Sequence, residues 1–584
     1  MASSIHERVS IRAYADLLGR YLRPYAPRVA LLALFIFSGI GLRLAYPQVV
    51  RFFIDTAREG GAHEDLMWAA GIYLAIGLGR QVVFLTGSYL GQDLGWRVTN
   101  TMRGDLADHC LRLDMGFHNE RTPGELVERV DGDTTTLSNF FSQFSAQVVG
   151  SFFLLLGVLT LVWREDWRIG AALGVFALVS FAVINLTRSL AVPYYAAERE
   201  GFSKLFGFLE ERLAGIEDVR TNGAVGFILD RFFRVNRDAF GRVVRSETMG
   251  AALRAVIGIL FAGGHALAMS MGIWLYQDGV FTIGTVYLIF EYTSMLRFPL
   301  YQISEQINDL QRATAGLKRI EALHRIRPRI TDGNGETPSG PLSVEFDDVS
   351  FDYFPGSPVL RGVNLRLEAG RTLGLLGRTG GGKTTLTRLL FRFYDVDTGQ
   401  ISLGDRPLHE LSLRSLRQRV GMVTQDVQIF RATVRENLAL FDEETDDDVM
   451  LAALDSLGMT AWLDSLADGL DTPIAPGGLS AGESQLLAFA RVFLSDPGVV
   501  VLDEPSSRLD PATERQIDHA VRELLRGRTA IVIAHHLDTV RRVDDIAILD
   551  GGRILETGSR ETLASDSASR FSQLLTAGLE EYTA

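Results

Sequence analysis

Cysteine is all but missing: Cys110 stands alone in 584 residues. That excludes an intrachain disulfide and a zinc cluster built from thiolates. Lysine is nearly as scarce, confined to Lys204, Lys318 and Lys383 among 58 basic residues. Basic charge is therefore carried by arginine, and each lysine position asks for a reason. An excess of positive charge is lacking too. The net charge of −13 excludes nucleic-acid binding as a role for the whole chain. Apolar residues are abundant, at 47% against 22% charged. The mean hydropathy of +0.13 exceeds that of most soluble proteins this long, so the apolar excess must be concentrated somewhere. The length is too great for one hydrophobic core, and two or more domains are expected.

No cleavable signal is legible. The first apolar run begins near Val29, behind an arginine-bearing amphipathic stretch from Val9 to Tyr21, and is too long for a signal core. Residues 1–27 read as an elbow lying along the cytoplasmic membrane face. Six apolar segments then meet the roughly 20 residues that a bilayer demands. They are Val29–Phe53, Leu66–Leu90, Gln143–Val162, Ile169–Leu190, Ala251–Tyr276 and Thr282–Leu300. Buried helices of a soluble enzyme would not gather six such runs before residue 300 and none after it.

Spacing says more than number. The connections after spans one, three and five, such as Thr56–Asp65 and Arg164–Arg168, are short. Those after spans two and four are long, polar, helical in pattern and rich in arginine, with Arg97, Arg103, Arg112, Arg121 and Arg129 in one and Arg212, Arg220, Arg231, Arg234 and Arg237 in the other. Short outer loops and long basic inner ones place both termini in the cytoplasm. Helices of that length can run tens of ångströms past the lipid to touch something in the cytosol.

Residues 326–341 have a linker composition, with Gly, Pro, Asn and Ser clustered from Thr331 to Pro341. Beyond them, short β-branched runs alternate with helical ones, among them Leu342–Phe346, Thr372–Gly377, Val499–Asp503 and Ala530–Ile533. The expected architecture is an α-helical six-span transmembrane domain over 28–325, followed by an α/β P-loop NTPase domain over 342–584.

Gly377 to Thr384 fits G-x-x-x-x-G-K-T between an apolar strand and a helical run. The glycines, Gly377, Gly380 and Gly382 among them, let successive backbone N–H groups close around phosphate oxygens. Lys383 reaches the terminal phosphates, and the Thr384 hydroxyl can ligate Mg²⁺. Far downstream the apolar strand Val499–Leu502 ends in Asp503 and Glu504. Strand ends are where α/β sheets place ligands. Asp503 would hold Mg²⁺ through water, and Glu504 would polarise the attacking water.

With these motifs the whole chain resembles an ATP-binding-cassette (ABC) exporter half-transporter, its membrane domain fused ahead of the cassette. The resemblance implies roles for further residues. Gln425 links Mg²⁺ and water to the membrane domain, and His535 contacts the γ-phosphate. Asp510 lies in the loop between two cassettes, Tyr353 stacks on adenine, and Thr385 belongs to the nucleotide site beside Thr384. Residues 117–130 resemble the segment after the first coupling helix of these exporters, and 209–220 resemble the second.

One motif departs from the family. The signature Leu-Ser-Gly-Gly-Gln reads Leu479, Ser480, Ala481, Gly482 and Glu483 here. Ser480, Gly482 and the following helix N-terminus would bind the γ-phosphate held by the opposite cassette. Ala481 adds a methyl group there, and Glu483 adds a carboxylate beside an anion. A sound phosphate loop with an altered signature is expected of one member of a heterodimer, with a homodimer as the alternative. The expected activity is ATP-driven export of an amphipathic or hydrophobic small molecule, lipid or peptide across a bacterial plasma membrane. An exporter-fold importer of siderophore type and a nucleotide-gated channel or regulator are the alternatives. Arg43, Arg80, Asn185, His265 and Glu291 lie within spans, where each serves either substrate contact or helix packing.

Overall fold

The computed structural model describes residues 19–143, 148–503, 511–534 and 540–577, with side chains at 139–143, 304–312, 511–512 and 577 left aside. Glu504, Asp510, His535 and most of the amphipathic elbow lie outside the described residues. The chain forms two compact units. One takes residues up to Leu111 together with Pro123–Ile326, and the other takes Arg112–Thr122 with everything from Arg327 onward.

The first unit is helical among its described residues. Its long helices are α1 (Ala26–Arg58) and α2 (His63–Leu111), followed, beyond the short α3 (Met115–Asn119) of the other unit, by α4 (Gly150–Glu165) and α5 (Trp167–Ala214). The short α6 (Ile216–Thr221), α7 (Val225–Gln277), α8 (Ile283–Met295) and α9 (Arg297–Arg325) follow, and shorter helical turns over Pro123–Val127, Glu128–Asp133 and Thr134–Gln143 lie between α3 and α4. Four of these helices are individually long and apolar enough to cross a membrane: α1 with its preceding turn, α2, α5 and α7. The described parts of the third and sixth apolar segments lie in α4 and in α8 with the start of α9. α4 has 16 residues, and α8 has 13 and runs into α9 across the single residue Leu296.

Local chemistry sets the turns. Asp166 caps α5, its carboxylate accepting from the Arg168 amide at 2.7 Å, and the Thr282 hydroxyl caps α8 by accepting from the Thr285 amide at 3.0 Å. Near the end of α1, Asp55 joins it to α8, accepting from the Gly284 amide at 2.8 Å and the Thr282 hydroxyl at 2.7 Å. Beside it Arg51 donates to Glu165 at 2.6 Å. The interior core gathers Val158, Ile169, Leu173, Phe261, Leu275, Leu288 and Tyr292. Gly264 allows α7 to approach Phe176 of α5 closely, since a Cβ there would strike the ring. Much apolar surface stays outside: Leu34, Trp68, Leu78, Phe84, Leu178 and Ile259 are exposed. On helices of this length such a surface suits lipid or a partner subunit.

The second unit holds two main sheets. The antiparallel sheet runs β2 (Pro358–Leu367), β1 (Val344–Asp352), β4 (Thr398–Leu403), β5 (Arg406–Pro407). The larger sheet has the order β12-β11-β3-β10-β9-β6, comprising β3 (Thr372–Leu376), β6 (Val420–Val423), β9 (Val499–Asp503), β10 (Thr529–Ile533), β11 (Asp545–Asp550) and β12 (Arg553–Ser559). Its strands are parallel except β12, which returns antiparallel to β11. The two-residue β7 (Ala432–Thr433) and β8 (Pro473–Ile474) pair separately. The near-continuous Val, Ile and Leu of β9 and β10 follow from burial on both faces. One core lies between the sheets, around Leu375, Leu389, Val501 and Leu549. The other lies on the far face, around Leu487, Phe489, Leu502 and Ile517.

Much of the glycine-rich stretch at 326–341 is bonded to this unit. The Gly335 amide donates to the Glu410 carbonyl at 2.8 Å, and the Ser412 amide donates back to the Gly335 carbonyl at 2.8 Å. Asp332 accepts from the Leu413 amide at 2.7 Å, and the Thr337 amide donates to Ser415 Oγ at 2.8 Å. Composition marked it as free chain, but these backbone groups have fixed partners.

Candidate nucleotide site

The carboxyl ends of the parallel strands share one edge, because the register sets Ile533 of β10 beside Asp503 of β9 and Leu375 of β3, and Val423 of β6 beside Leu502. The loop leaving β3 is Gly377–Gly382, which enters α10 (Lys383–Leu390). Gly377, Gly380 and Gly382 have φ of 151°, 79° and 106°, a region that side chains with a Cβ avoid. A Cβ at Gly377 would run into the Leu549 carbonyl oxygen, and one at Gly382 would come within 2.8 Å of Leu360. Gly380 faces open space, where a ligand has room. The loop is therefore packed against β11 at Gly377 and β2 at Gly382 and open at Gly380.

Lys383 is buried, and its ammonium donates to the Gly377 carbonyl at 2.6 Å and the Arg378 carbonyl at 3.1 Å. Its charge sits inside the loop, where phosphate oxygens would compete for it. Thr384 is exposed at the first turn of α10, and Thr385 is buried behind it. Asp503 ends β9, and Gln425 stands exposed two residues past the end of β6. The edge thus collects a cation, a hydroxyl, a carboxylate and a carboxamide around an amide-lined loop. That donor set fits a nucleoside triphosphate.

Tyr353 stands beside α10. Its hydroxyl donates to Thr385 Oγ1 at 3.2 Å, and its ring meets Phe351 and Tyr394 edge-on at 4.9 and 5.1 Å. Tyr394 carries this cluster to α3, since Asn119 Nδ2 donates to the Tyr394 hydroxyl at 2.6 Å. Burial, then the neighbouring Tyr353, pushes the Tyr394 phenol up. The position of 117–130 at the turn of a long loop favours docking onto the cassette, but the sequence places 112–122 within the membrane domain and does not show this contact. A five-residue helix on a long polar loop gives no periodic signal; Phe117 is buried, with Arg121 4.3 Å from its ring.

The signature segment opens α11 (Ala481–Leu494). Glu483 turns back to the helix start: it accepts from the Ser480 amide at 2.7 Å, while Ser480 Oγ accepts from the Glu483 amide at 3.2 Å. This is a reciprocal capping box, readable in the sequence as Ser-x-x-Glu. Ala481 is exposed, so its methyl has room within this chain. Gly482 is not replaceable in the same way, because a Cβ there would strike Thr513 of α12 (Pro511–Leu525). The carboxylate of Glu483 thus rests at the helix N-terminus that a phosphate would need. Glu483→Gln keeps the cap and removes the charge. It is expected to lower the KM for ATP roughly fivefold, as about 1 kcal/mol of repulsion at a helix terminus implies. Turnover measured across ATP concentrations checks this, and a raised KM would sink the idea.

The polar residues within spans separate into groups. Asn185 donates to the Phe181 carbonyl of its own helix at 3.0 Å. His265 is a helix contact, meeting the Phe261 carbonyl at 2.6 Å and Ser294 Oγ of α8 at 2.8 Å. Arg43 and Arg80 lie instead over aromatic rings.

Comparison with known proteins agrees with this site. Residues 29–300 match the ABC transporter transmembrane region, and residues 360–507 match the ABC transporter ATPase family. The chain is 30% identical over 471 residues to the fatty acid ABC transporter ATP-binding/permease protein of Mycobacterium bovis, covering 79% of this chain and 74% of that protein. It is 29% identical over 554 residues to the ATP-dependent lipid A-core flippase of Syntrophus aciditrophicus, covering 93% and 90%. In fold it is similar to a bacterial Atm1-family ABC exporter solved with ATP bound, with a TM-score of 0.78, 23% identity, and 95% and 98% of the two chains covered.

Proposed function

We infer that this chain, which belongs to the ABC transporter family with its membrane region and ATPase in one polypeptide, exports an amphipathic, lipid-like compound across a bacterial plasma membrane. It hydrolyses ATP, and hydrolysis is coupled to transport. The observation that carries the reading is the loop at Gly377–Lys383, packed at the carboxyl edge of a parallel sheet in a chain that also has helices long enough to span lipid. The lipid-like cargo is supported by the relatives, named for fatty acid and lipid A-core transport.

Within the site, the loop amides and Lys383 hold the β- and γ-phosphates, and Tyr353 receives the adenine. Thr384, Asp503 and Gln425 are the Mg²⁺ donors, and Mg²⁺ when bound neutralises charge developing on the phosphates. Glu504 takes the proton side of the attack by orienting water, and His535 contacts the γ-phosphate. Ser480, Gly482 and Asp510 serve the site of a second half-transporter, which a heterodimer would supply in its consensus form. Both termini lie in the cytoplasm.

The test is Mg-ATP turnover by this chain alone in lipid discs, beside its Glu504→Gln variant. Turnover that disappears in the variant supports hydrolysis at this site and a working homodimer. Absence of turnover alone, restored by a companion half-transporter, supports the heterodimer. Turnover undiminished in the variant would overturn the role of Glu504.

A further inference from the structure

Arg43 of α1 and Arg80 of α2 lie about two residues, or about 3 Å, from the middle of their spans. Neither guanidinium has a carboxylate within ion-pair distance among the described residues, whereas Arg51, also in α1, is paired with Glu165. The interface is about 15 Å away at that depth, beyond the reach of an arginine side chain, so snorkelling does not relieve them. Each instead lies over an aromatic ring. Arg80 lies 5.5 Å from the centre of the Tyr46 ring, and Arg43 lies 5.4 Å from that of Phe298. Tyr46 is three residues from Arg43 on one face of α1, and its ring packs at 4.5 Å against that of Tyr73, seven residues from Arg80 on one face of α2. The two cations therefore share an aromatic-lined face of the α1–α2 pair. Ring faces steady a guanidinium but do not neutralise it. Uncompensated charge at mid-membrane is costly and marks a functional site. Glu291 of α8 is a carboxylate in another span, and among the described residues it is ion-paired with neither arginine.

We propose that Arg43 and Arg80 form a binding site for the anionic headgroup, a phosphate or carboxylate, of an amphiphile whose tail lies along the Tyr46, Tyr73 and Phe298 rings. Two guanidiniums offer the planar, forked donors that such oxyanions accept. The tail is required because the surroundings are apolar at this depth. This rests on the transporter reading above and narrows its cargo to acidic amphiphiles.

The experiment measures equilibrium binding to the full chain in lipid discs, with empty discs subtracted. The probes are dodecyl phosphate, dodecylphosphocholine and inorganic phosphate. Dodecyl phosphate is expected to saturate and to bind at least tenfold more tightly than dodecylphosphocholine, which has the same tail without net charge. Inorganic phosphate is expected not to compete. Arg43→Gln with Arg80→Gln should weaken dodecyl phosphate tenfold or more and leave dodecylphosphocholine unchanged. The double variant must still bind a fluorescent ATP analogue, which shows that it is folded. Equal affinity for the two dodecyl compounds, or equal loss of both in the variant, would overturn the headgroup site. Competition by inorganic phosphate as effective as by dodecyl phosphate would overturn the amphiphile and leave a free-anion site. A double variant that fails to fold is replaced by each single substitution, judged by the same ratio. Failure of ATP turnover in the wild-type chain, with and without a companion subunit, would instead count against the transporter reading, whatever the binding shows.

Discussion

Lys383→Ala is expected to reduce ATP turnover by a factor on the order of 10² to 10³, the usual loss when one preorganised donor to developing charge is removed. The ammonium is already buried and aimed, held by the Gly377 and Arg378 carbonyls, so no reorganisation is needed when phosphate replaces them. No other lysine lies in the ATPase unit, since Lys204 and Lys318 belong to the helical one. Arginine is not a substitute. Its planar fork is larger than an ammonium, and the loop wraps the side chain closely. Lys383→Arg should therefore also fail, whereas a purely electrostatic role would let it recover much of the rate. Phosphate release at saturating Mg-ATP reads the effect. A thermal melt within a few degrees of the parent's would confirm that the fold survives. Retention of more than a tenth of the parent rate by Lys383→Ala would refute the role given to this lysine.

Gly377→Ala is expected to do worse, because it damages the loop itself. A backbone at φ 151° admits essentially glycine alone, and the added Cβ would enter the Leu549 carbonyl oxygen at the end of β11. A flexible side chain could step aside, but the carbonyl of a residue paired in the sheet, here Leu549 opposite Ile554 of β12, cannot move without disturbing strand pairing. The strain alone costs about 1–3 kcal/mol, and the overlap adds to it. We expect loss of nucleotide binding together with a fall in melting temperature. Gly380→Ala is the control. Its φ of 79° is also unfavourable, but its Cβ would meet open space, so the cost should stay near 1 kcal/mol. Equal effects at the two positions would show that φ, and not the backing strand, sets the requirement.

Legibility in the sequence followed the range of the interactions. The phosphate loop was readable because its chemistry is local: glycine spacing, one lysine and the flanking strand and helix all fall within a dozen or so residues. The spans were readable for the same reason, since apolar length is a property of a continuous segment. Within the sixth segment, what the apolar pattern does not show is the division at Leu296, where α8 passes into the more polar α9. The linker composition of 326–341 does not show its long-range partners: the Gly335 and Thr337 amides donate to Glu410 and Ser415, and the Gly335 carbonyl accepts from the Ser412 amide, about 75 residues away.

Glu483 lies between these cases. Its capping box is a four-residue pattern, yet the motif was first weighed as a damaged phosphate binder, and the local hydrogen bonds decided which way the carboxylate turns.

By itself, then, the sequence determined the kind of machine: apolar lengths demand a membrane, and one loop with its strand demands a nucleotide. Tertiary structure decided which polar residues stay uncommitted. His265 and Asn185 spend hydrogen bonds on helix carbonyls and a neighbouring serine, while Arg43 and Arg80 lie over aromatic rings, without a carboxylate partner among the described residues. The tie between Asn119 and Tyr394 was likewise decided there. The reason is physical. Backbone conformation and burial length depend on neighbours along the chain, but the partner of a polar side chain is whatever folding brings within 3 Å of it.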